Sequence, residues 1–158
     1  EVYGDREPTA ADYSALAYTR AVVQETMRLY PPIWGLIRVA SKPDVIAGKE
    51  IKPGDRVVLF AYGAHHNPKV WDEPEAFRPE RWMAGAAKKQ VKYSYLPFGG
   101  GKRSCIGGAM SQVENTLALS LLLRRFRPEY VGPNPAGINA TVTLPPKVGL
   151  HLQIEGVG

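Results

Sequence analysis

Two stretches of the chain carry apolar residues at the spacing of an α-helix. In the first, the apolar stripe consists of Tyr13, Leu16, Val23, Met27 and Tyr30. This spacing predicts one amphipathic helix over residues 12–30, with Asp12 as its N-cap. The proline pair at residues 31–32 predicts the end of this helix, because proline cannot continue it.

The second stretch, residues 106–125, is apolar on most of its faces. One stripe is formed by Met110, Val113, Leu117 and Leu121, and it is flanked by Leu119, Leu122 and Leu123. A helix that is apolar nearly all round is typical of a buried position. This second helix is therefore predicted to be buried.

Shorter apolar runs, separated by turn residues, predict a small sheet over residues 33–60. Within it, residues 45–52 are typical of a hairpin and residues 53–55 of a turn. The other predicted segments are a loop over residues 1–11, a meander over 77–97 and closing strands over 126–131, 141–144 and 148–154. These elements predict an α+β fold, in a single domain or subdomain with two long helices and a minor sheet.

The composition is that of one ordinary globular domain. The 158 residues are 44% hydrophobic, which is enough for a core, and no apolar run approaches the ~20 residues of a membrane span. The N-terminal residues are polar, so no signal peptide is predicted. The single cysteine excludes an internal disulfide, which favours a reducing, cytoplasmic setting. The net charge of +5 comes from scattered residues without a nucleic-acid-binding module, so no nucleic-acid partner is predicted.

A glycine-rich loop leads into Cys105, the one cysteine of the chain. The run Gly99–Gly101 lets the backbone turn where a Cβ would clash, so that another surface can approach closely. Cys105 falls near the predicted start of the second helix, where free N–H groups and the helix dipole favour an anionic sulfur. Lys102 and Arg103 add positive charge. An anionic sulfur suits a soft metal, whereas an isolated cysteine is more often a small buried apolar residue.

The loop has the pattern Phe-x-x-Gly-x-Arg-x-Cys-x-Gly, which resembles the haem-ligand signature of the cytochrome P450 (haem-thiolate monooxygenase) superfamily. The resemblance implies haem b, with the Cys105 thiolate as axial ligand of the iron, and oxygen insertion that uses electrons from a redox partner. It also implies the mostly helical C-terminal part of that fold, with a small mixed or antiparallel sheet and a meander before the cysteine loop. The cofactor-binding residues implied are Phe98, Gly99, Gly101, Arg103, Cys105, Gly107 and Arg38.

Two further motifs are similar to those of the same superfamily. Glu25 and Arg28 form a Glu-x-x-Arg motif near the end of the first helix, and Phe77–Trp82 is similar to the Pro-Glu-Arg-Phe segment with Trp82 in place of phenylalanine. Taken alone, Glu25 and Arg28 would be a solvated pair on one helix face. The resemblance implies instead that Arg81 joins them in a buried, structural charge cluster beneath the cysteine loop, where one carboxylate accepts from two guanidinium groups.

Two arginines are candidates for binding the haem propionates. Arg38 interrupts an otherwise apolar extended run, so it either snorkels to water or meets a specific anion; the resemblance implies a propionate. Arg103 is the second candidate. The adjacent His65 and His66 are not predicted to bind a metal, because neighbouring side chains point in different directions and no third ligand lies nearby in sequence.

A group of lysines lies close to the cysteine loop in sequence: Lys88, Lys89, Lys92 and Lys102. The resemblance implies that they face an acidic redox partner of the ferredoxin, flavodoxin or reductase type, for which their charge would raise the association rate. An ordinary solvated run of charge is an equally good interpretation.

The resemblance covers about residues 12–154 and corresponds to the C-terminal part of the usual, much longer family chain. The helix with the acid–alcohol pair and the substrate-binding loops have no counterpart in this sequence, so the substrate is not predicted. The leading hypothesis is the haem-ligating part of a monooxygenase that is completed by an N-terminal chain. The alternatives are a non-catalytic haem-binding or sensing module, and an inert fragment that associates with itself through its exposed apolar face.

Overall fold

The computed structural model describes residues 2–83, 91–132 and 137–157. Its α-helices are α1 (Ala17–Leu29), α2 (Ala61–His65) and α3 (Gly108–Arg125). Its strands are β1 (Leu36–Val39), β2 (Asp44–Ile46), β3 (Lys49–Ile51), β4 (Arg56–Leu59), β5 (Phe126–Tyr130) and β6 (Leu152–Gly156). Short 3₁₀ helices cover Ala10–Ser14, Pro79–Trp82 and Gly101–Arg103. Within these described ranges, no helix is both long enough and apolar enough to cross a membrane.

The predicted helix over residues 12–30 is two helices, the 3₁₀ helix Ala10–Ser14 and α1. The prediction of Asp12 as the N-cap of the long helix was wrong. Its carboxylate accepts hydrogen bonds from the backbone N–H of Thr9 and from Arg6 Nη1, both at 2.8 Å, so it is bound upstream of α1. Helix α1 ends at Leu29 because the two following prolines lack the N–H groups that would continue it.

Each strand pairs with one antiparallel partner. β1 lies on β4 with Leu36 opposite Leu59, and β2 lies on β3 in a hairpin. The hairpin turn places Ala47 and Gly48 at φ +51° and +77°, the left-handed values of the tight turns that suit twisted strands. β5 and β6 form the third pair.

The predicted strand over residues 141–144 is not present in the described part of the chain. The next two residues are prolines, which have no N–H group for a ladder. This segment packs instead on the residues after α1, where Leu144 N–H donates to the Pro32 carbonyl at 3.1 Å and Trp34 Nε1 donates to the Thr141 carbonyl at 2.7 Å.

The core is centred on α1, which packs against α2, α3 and the 3₁₀ helix Pro79–Trp82. Its buried apolar members are Leu16, Ala21, Val23, Met27, Leu29, Ala61 and Trp71. The prediction that the second long helix is buried was wrong for most of its faces. Only Gly108 and Thr116 of α3 are buried, and Leu122 is 55% exposed. Helix α3 therefore packs on one side and leaves its other apolar side uncovered.

Candidate functional site

The cysteine loop is a turn closed by its own backbone. Cys105 N–H donates to the Phe98 carbonyl at 2.9 Å, and the 3₁₀ helix Gly101–Arg103 lies between them. Gly99 and Gly101 have φ of +73° and +70°, a left-handed conformation that glycine adopts without the steric cost of a Cβ. These two glycines therefore shape the turn, and the Cys105 side chain is exposed on it.

The start of α3 packs against this turn. A Cβ on Gly108 would lie 3.0 Å from Cγ of Phe98, so the absence of a side chain lets the aromatic ring rest on the helix. A Cβ on Gly107 would lie 3.9 Å from Cys105 Sγ, which is an ordinary contact. Ile106 is fully exposed, at 103%. The loop thus presents a sulfur and an apolar side chain outward, while Phe98 packs on the start of α3.

A cavity of about 890 Å³ opens beside Cys105. Its volume lies in the range of cofactor pockets, and such pockets are mostly apolar with a few polar groups. Among the described residues, Arg103 is the one charged side chain in the lining. The apolar lining includes Val23, Met27, Ile33, Leu36, Leu96, Pro97, Phe98, Ala118, Leu119 and Leu122, and the polar lining includes Thr26, Tyr30, Ser111 and Asn115.

The two predicted propionate-binding arginines lie at different places. Arg103 lines the cavity, whereas Arg38 does not. Arg38 follows the cavity residue Leu36 by two positions on β1, so the two side chains share one face of the strand. The Arg38 side chain turns back on its own strand, where Nη1 donates to the Ile37 carbonyl at 2.9 Å.

The structure brings Arg28 and Arg81 onto the same carboxylate, that of Glu25. The Glu25 carboxylate is completely buried and accepts from Arg28 Nε at 2.9 Å, Arg28 Nη2 at 2.8 Å and Arg81 Nε at 3.2 Å. The Arg28 guanidinium also donates to the carbonyls of His65, Pro74 and Ala76, at 2.9, 2.6 and 3.1 Å. Through these carbonyl bonds, the Arg28 side chain joins α1 to α2 and to the segment that follows α2.

Two further donors reach Glu25 that the sequence analysis did not assign. The backbone N–H of Arg78 donates at 2.9 Å and the indole Nε1 of Trp82 at 2.8 Å. Burial acts to raise the pKa of Glu25, but the hydrogen bonds from Arg28, Arg78 and Trp82 outweigh it and hold that pKa below its usual value. Trp82 therefore contributes a hydrogen bond that a phenylalanine at this position could not make.

The segment just before the loop is braced against this cluster. The Tyr95 ring packs on the Trp82 ring with centroids 4.4 Å apart, and its hydroxyl donates to the Gln24 carbonyl at 3.2 Å. Burial raises the pKa of Tyr95, so the phenol keeps its proton and remains a donor. A further hydrogen bond holds the next residue, because the N–H of Leu96 donates to Nε2 of buried His65 at 2.7 Å.

The lysine group is only partly within the described residues. Lys102 is exposed on the 3₁₀ helix of the loop, and Lys92 Nζ lies 5.0 Å from the centroid of the Tyr93 ring. Lys88 and Lys89 lie outside the described residues.

Comparison with known proteins agrees with this geometry. The sequence profile of the family described as Cytochrome P450 matches residues 1–152. Cyclooctatin synthase of Streptomyces melanosporofaciens is 40% identical over 127 residues, which are 80% of this chain and 28% of that protein. Protein LUTEIN DEFICIENT 5, chloroplastic, of Arabidopsis thaliana is 38% identical over 157 residues, which are 97% of this chain and 26% of that protein.

A solved structure gives the same result for the fold. The crystal structure of the cytochrome P450DA heme domain superposes with a TM-score of 0.89 at 28% identity, over 98% of this chain and 34% of that one. The chain thus spans about a quarter to a third of the length of the proteins it matches. The predicted helical fold with small antiparallel sheets is confirmed, and the chain belongs to the cytochrome P450 family.

Proposed function

We propose that this chain binds haem b through the sulfur of Cys105 and forms the haem-ligating part of a cytochrome P450 monooxygenase. The observation that carries the proposal is the position of Cys105. It is the one cysteine of the chain, it is exposed, and it lines a cofactor-sized, mostly apolar cavity.

The residues of this cavity fit an iron porphyrin. A porphyrin is a flat apolar ring with an iron at its centre and two carboxylates at one edge. The apolar lining suits the ring, the Cys105 sulfur suits the iron, and the guanidinium of Arg103 suits a carboxylate. When bound, the haem supplies the oxygen-activating redox chemistry.

The chain's own residues hold and shape this site. Gly99 and Gly101 set the turn that exposes the sulfur, and Phe98 anchors the turn on Gly108. We assign Arg103 to a propionate at the cavity, and Arg38 to the edge of the same strand face, where its side chain must leave the Ile37 carbonyl to reach an anion.

The buried cluster of Glu25, Arg28 and Arg81 is assigned a structural role. None of the three side chains lines the cavity, which supports a role in the fold and not in the reaction. The cluster is connected to the loop through two aromatic residues. Trp82 donates a hydrogen bond to Glu25 and packs on Tyr95, which lies shortly before the cysteine turn in the sequence. It therefore supports the segment from which the turn begins.

Two regions of the surface are assigned to contacts with other proteins. We assign Lys92 and Lys102 to the face that meets an acidic redox protein. The apolar side of α3 that faces away from the cavity, with Leu123 about half exposed, is assigned to contact with further protein, either a complementing N-terminal chain or a second copy. Oxygen insertion requires that further part, since the chain spans only about a third of the matched heme domain.

Haem titration of the purified chain, followed by a CO-difference spectrum of the reduced protein, tests the proposal. We expect one haem per chain and the red-shifted Soret band of a thiolate-ligated haem. The Cys105→Ala variant should lose that band, and Ser104→Ala, which changes the adjacent exposed residue, should keep it. A wild-type spectrum without the thiolate band, or an unchanged spectrum in Cys105→Ala, would contradict the proposal.

A further inference from the structure

His65 is a fully buried histidine whose two ring nitrogens both have partners on other segments. Nδ1 lies 3.2 Å from the carbonyl oxygen of Arg28 in α1. Nε2 lies 2.7 Å from the backbone nitrogen of Leu96, two residues before the signature Phe98. The imidazole, at 0% exposure, therefore bridges the end of α1 and the start of the cysteine loop.

The partners define the protonation state of the ring. A backbone N–H can only donate, so Nε2 carries a lone pair toward Leu96. A carbonyl can only accept, so Nδ1 carries the hydrogen toward Arg28. Only the neutral imidazole with its hydrogen on Nδ1 satisfies both contacts.

Both partner groups depend on this ring. In an α-helix the Arg28 carbonyl would accept from the N–H four residues later, but that residue is Pro32, which has none. At Leu96, the N–H goes to His65 and the carbonyl accepts from Gly99 N–H at 3.1 Å. Leu96 is thus held on one side by His65, and on its other side it forms the first backbone bond of the glycine turn.

We propose that His65 is a positioning residue for the cysteine loop, and that its neutral ring fixes the loop against the carboxyl end of α1 through Leu96. The proposal rests on the proposed function, because it assigns His65 to the same site. His65 lies outside the cavity lining and touches neither the sulfur nor the cofactor space. It acts through the backbone of Leu96, which does line the cavity.

The surroundings keep the ring neutral. Burial lowers the pKa of His65 to about 4 and outweighs the hydrogen bond to the Arg28 carbonyl, which acts to raise that pKa. The positive charge of Arg28 acts in the same direction as burial. The Tyr95 ring packs beside the His65 ring, and the two ring centroids are 5.3 Å apart. At neutral pH the bridge is therefore fully formed.

Amide hydrogen exchange on the haem-free chain tests the bridge independently of cofactor binding. In His65→Asn, the amide nitrogen overlays Nδ1 and keeps the donor to Arg28, but nothing accepts from Leu96. In His65→Gln, the amide oxygen overlays Nε2 and restores the acceptor. We expect about tenfold faster exchange at Leu96 and Cys105 in His65→Asn and in His65→Phe, the order expected on loss of one buried hydrogen bond, with near wild-type exchange in His65→Gln.

His66→Gln is the matched control, since His66 directly follows α2 and its Nδ1 bonds back to the Tyr62 carbonyl of that helix. It should leave exchange at Leu96 and Cys105 unchanged. Equal protection of Leu96 in His65→Asn and wild type would overturn the proposal, as would failure of His65→Gln to rescue the His65→Phe effect.

A measurement on the wild type covers the case in which a variant does not fold. The ¹⁵N shifts of the His65 ring report which nitrogen carries the hydrogen. We expect a hydrogen on Nδ1 and a bare Nε2 at neutral pH, and the opposite tautomer would overturn the bridge. None of these measurements uses haem, so a failed CO-difference spectrum would remove the proposed function and leave the bridge to be judged separately.

Discussion

At the scale of single residues, the Glu25 carboxylate is the acceptor on which the donors beside the loop converge. It accepts from two arginines, an indole and a backbone N–H while fully buried. A buried charge is tolerated only when its partners are in place. Replacing it removes the one acceptor that these donors share.

Glu25→Gln is therefore expected to lower the free energy of unfolding by about 3–5 kcal/mol, the cost of breaking a buried ion pair on one side. Denaturant unfolding of the chain measures this change. Glu80→Gln serves as the control, because Glu80 is exposed and its carboxylate accepts a hydrogen bond from the Tyr18 hydroxyl at 3.5 Å, a weak contact at the surface. A loss for Glu25→Gln no larger than for Glu80→Gln would contradict the structural role of the cluster.

Trp82 offers a more selective change at the same site. Trp82→Phe keeps an aromatic ring beside Tyr95 but removes the hydrogen bond to the carboxylate, for an expected loss of about 1.5–3 kcal/mol. Trp34→Phe removes an indole bond to a neutral carbonyl, that of Thr141, and is expected to cost about 0.5–1.5 kcal/mol. Denaturant unfolding compares the two losses in stability. A larger loss for Trp34→Phe than for Trp82→Phe would show that the hydrogen bond from Trp82 to Glu25 does not stabilise the fold.

His65 makes a prediction about pH. Its pKa is about 4 in the folded chain against 6.5 when exposed, so between these values the unfolded chain binds a proton that the folded chain does not. Its contribution to stability is therefore complete above pH 6.5 and is lost as pH falls toward 4, by about 3 kcal/mol in total.

Urea unfolding of wild type and His65→Gln across pH 4–7 checks this dependence. The wild type should lose stability through this window, and the variant should lose markedly less, because glutamine does not titrate. The low pKa of Glu25 adds its own loss of stability at lower pH in both proteins. Parallel curves for the two proteins between pH 7 and 5 would show that His65 is not buried as a neutral ring.

At the scale of elements, the contact between the cysteine loop and α3 depends on a missing side chain. In Gly108→Ala the new Cβ would meet the Phe98 ring at 3.0 Å, so the ring must shift. We expect a loss of about 1–3 kcal/mol from this overpacking, reduced by the gain of up to about 1 kcal/mol in helix propensity.

Gly107→Ala is the matched change one residue earlier, where the new Cβ meets Sγ of Cys105 at an ordinary 3.9 Å. Thermal or denaturant unfolding should show Gly108→Ala to be the less stable of the two. The opposite order would mean that Phe98 is not held on the helix start.

At the scale of the whole molecule, local sequence patterns predicted the positions of helices and strands better than they predicted which of their faces are buried. The apolar stripes located α1 and α3, and the turn residues located the hairpin at Ala47 and Gly48. Periodicity cannot tell which side of an apolar helix is covered, so α3 was predicted to be buried when most of it is not. The strand predicted over residues 141–144 failed for a similar reason, because two of its backbone groups bond to Pro32 and Trp34, more than a hundred residues away.

The residues of the candidate site also fall into two groups, those that local sequence identifies and those that only the folded chain identifies. Cys105, the loop glycines and the pair Glu25–Arg28 sit at fixed local spacings, so a single sequence is enough to select them. The roles of Trp82 and His65 depend on contacts across 57 and 31 residues. His65 and His66 are adjacent in the sequence, and the folded chain separates their roles through the contact of His65 Nε2 with Leu96.

The central claim is that Cys105 supplies the sulfur ligand of a haem iron, and iron X-ray absorption of the haem-loaded chain tests it most directly. Met27 is the matched control, because it is the other sulfur among the described lining residues of the cavity. We predict one sulfur neighbour of the iron in the wild type and in Met27→Leu, and none in Cys105→Ala. No sulfur neighbour in the wild type, or one that persists in Cys105→Ala, would contradict the account.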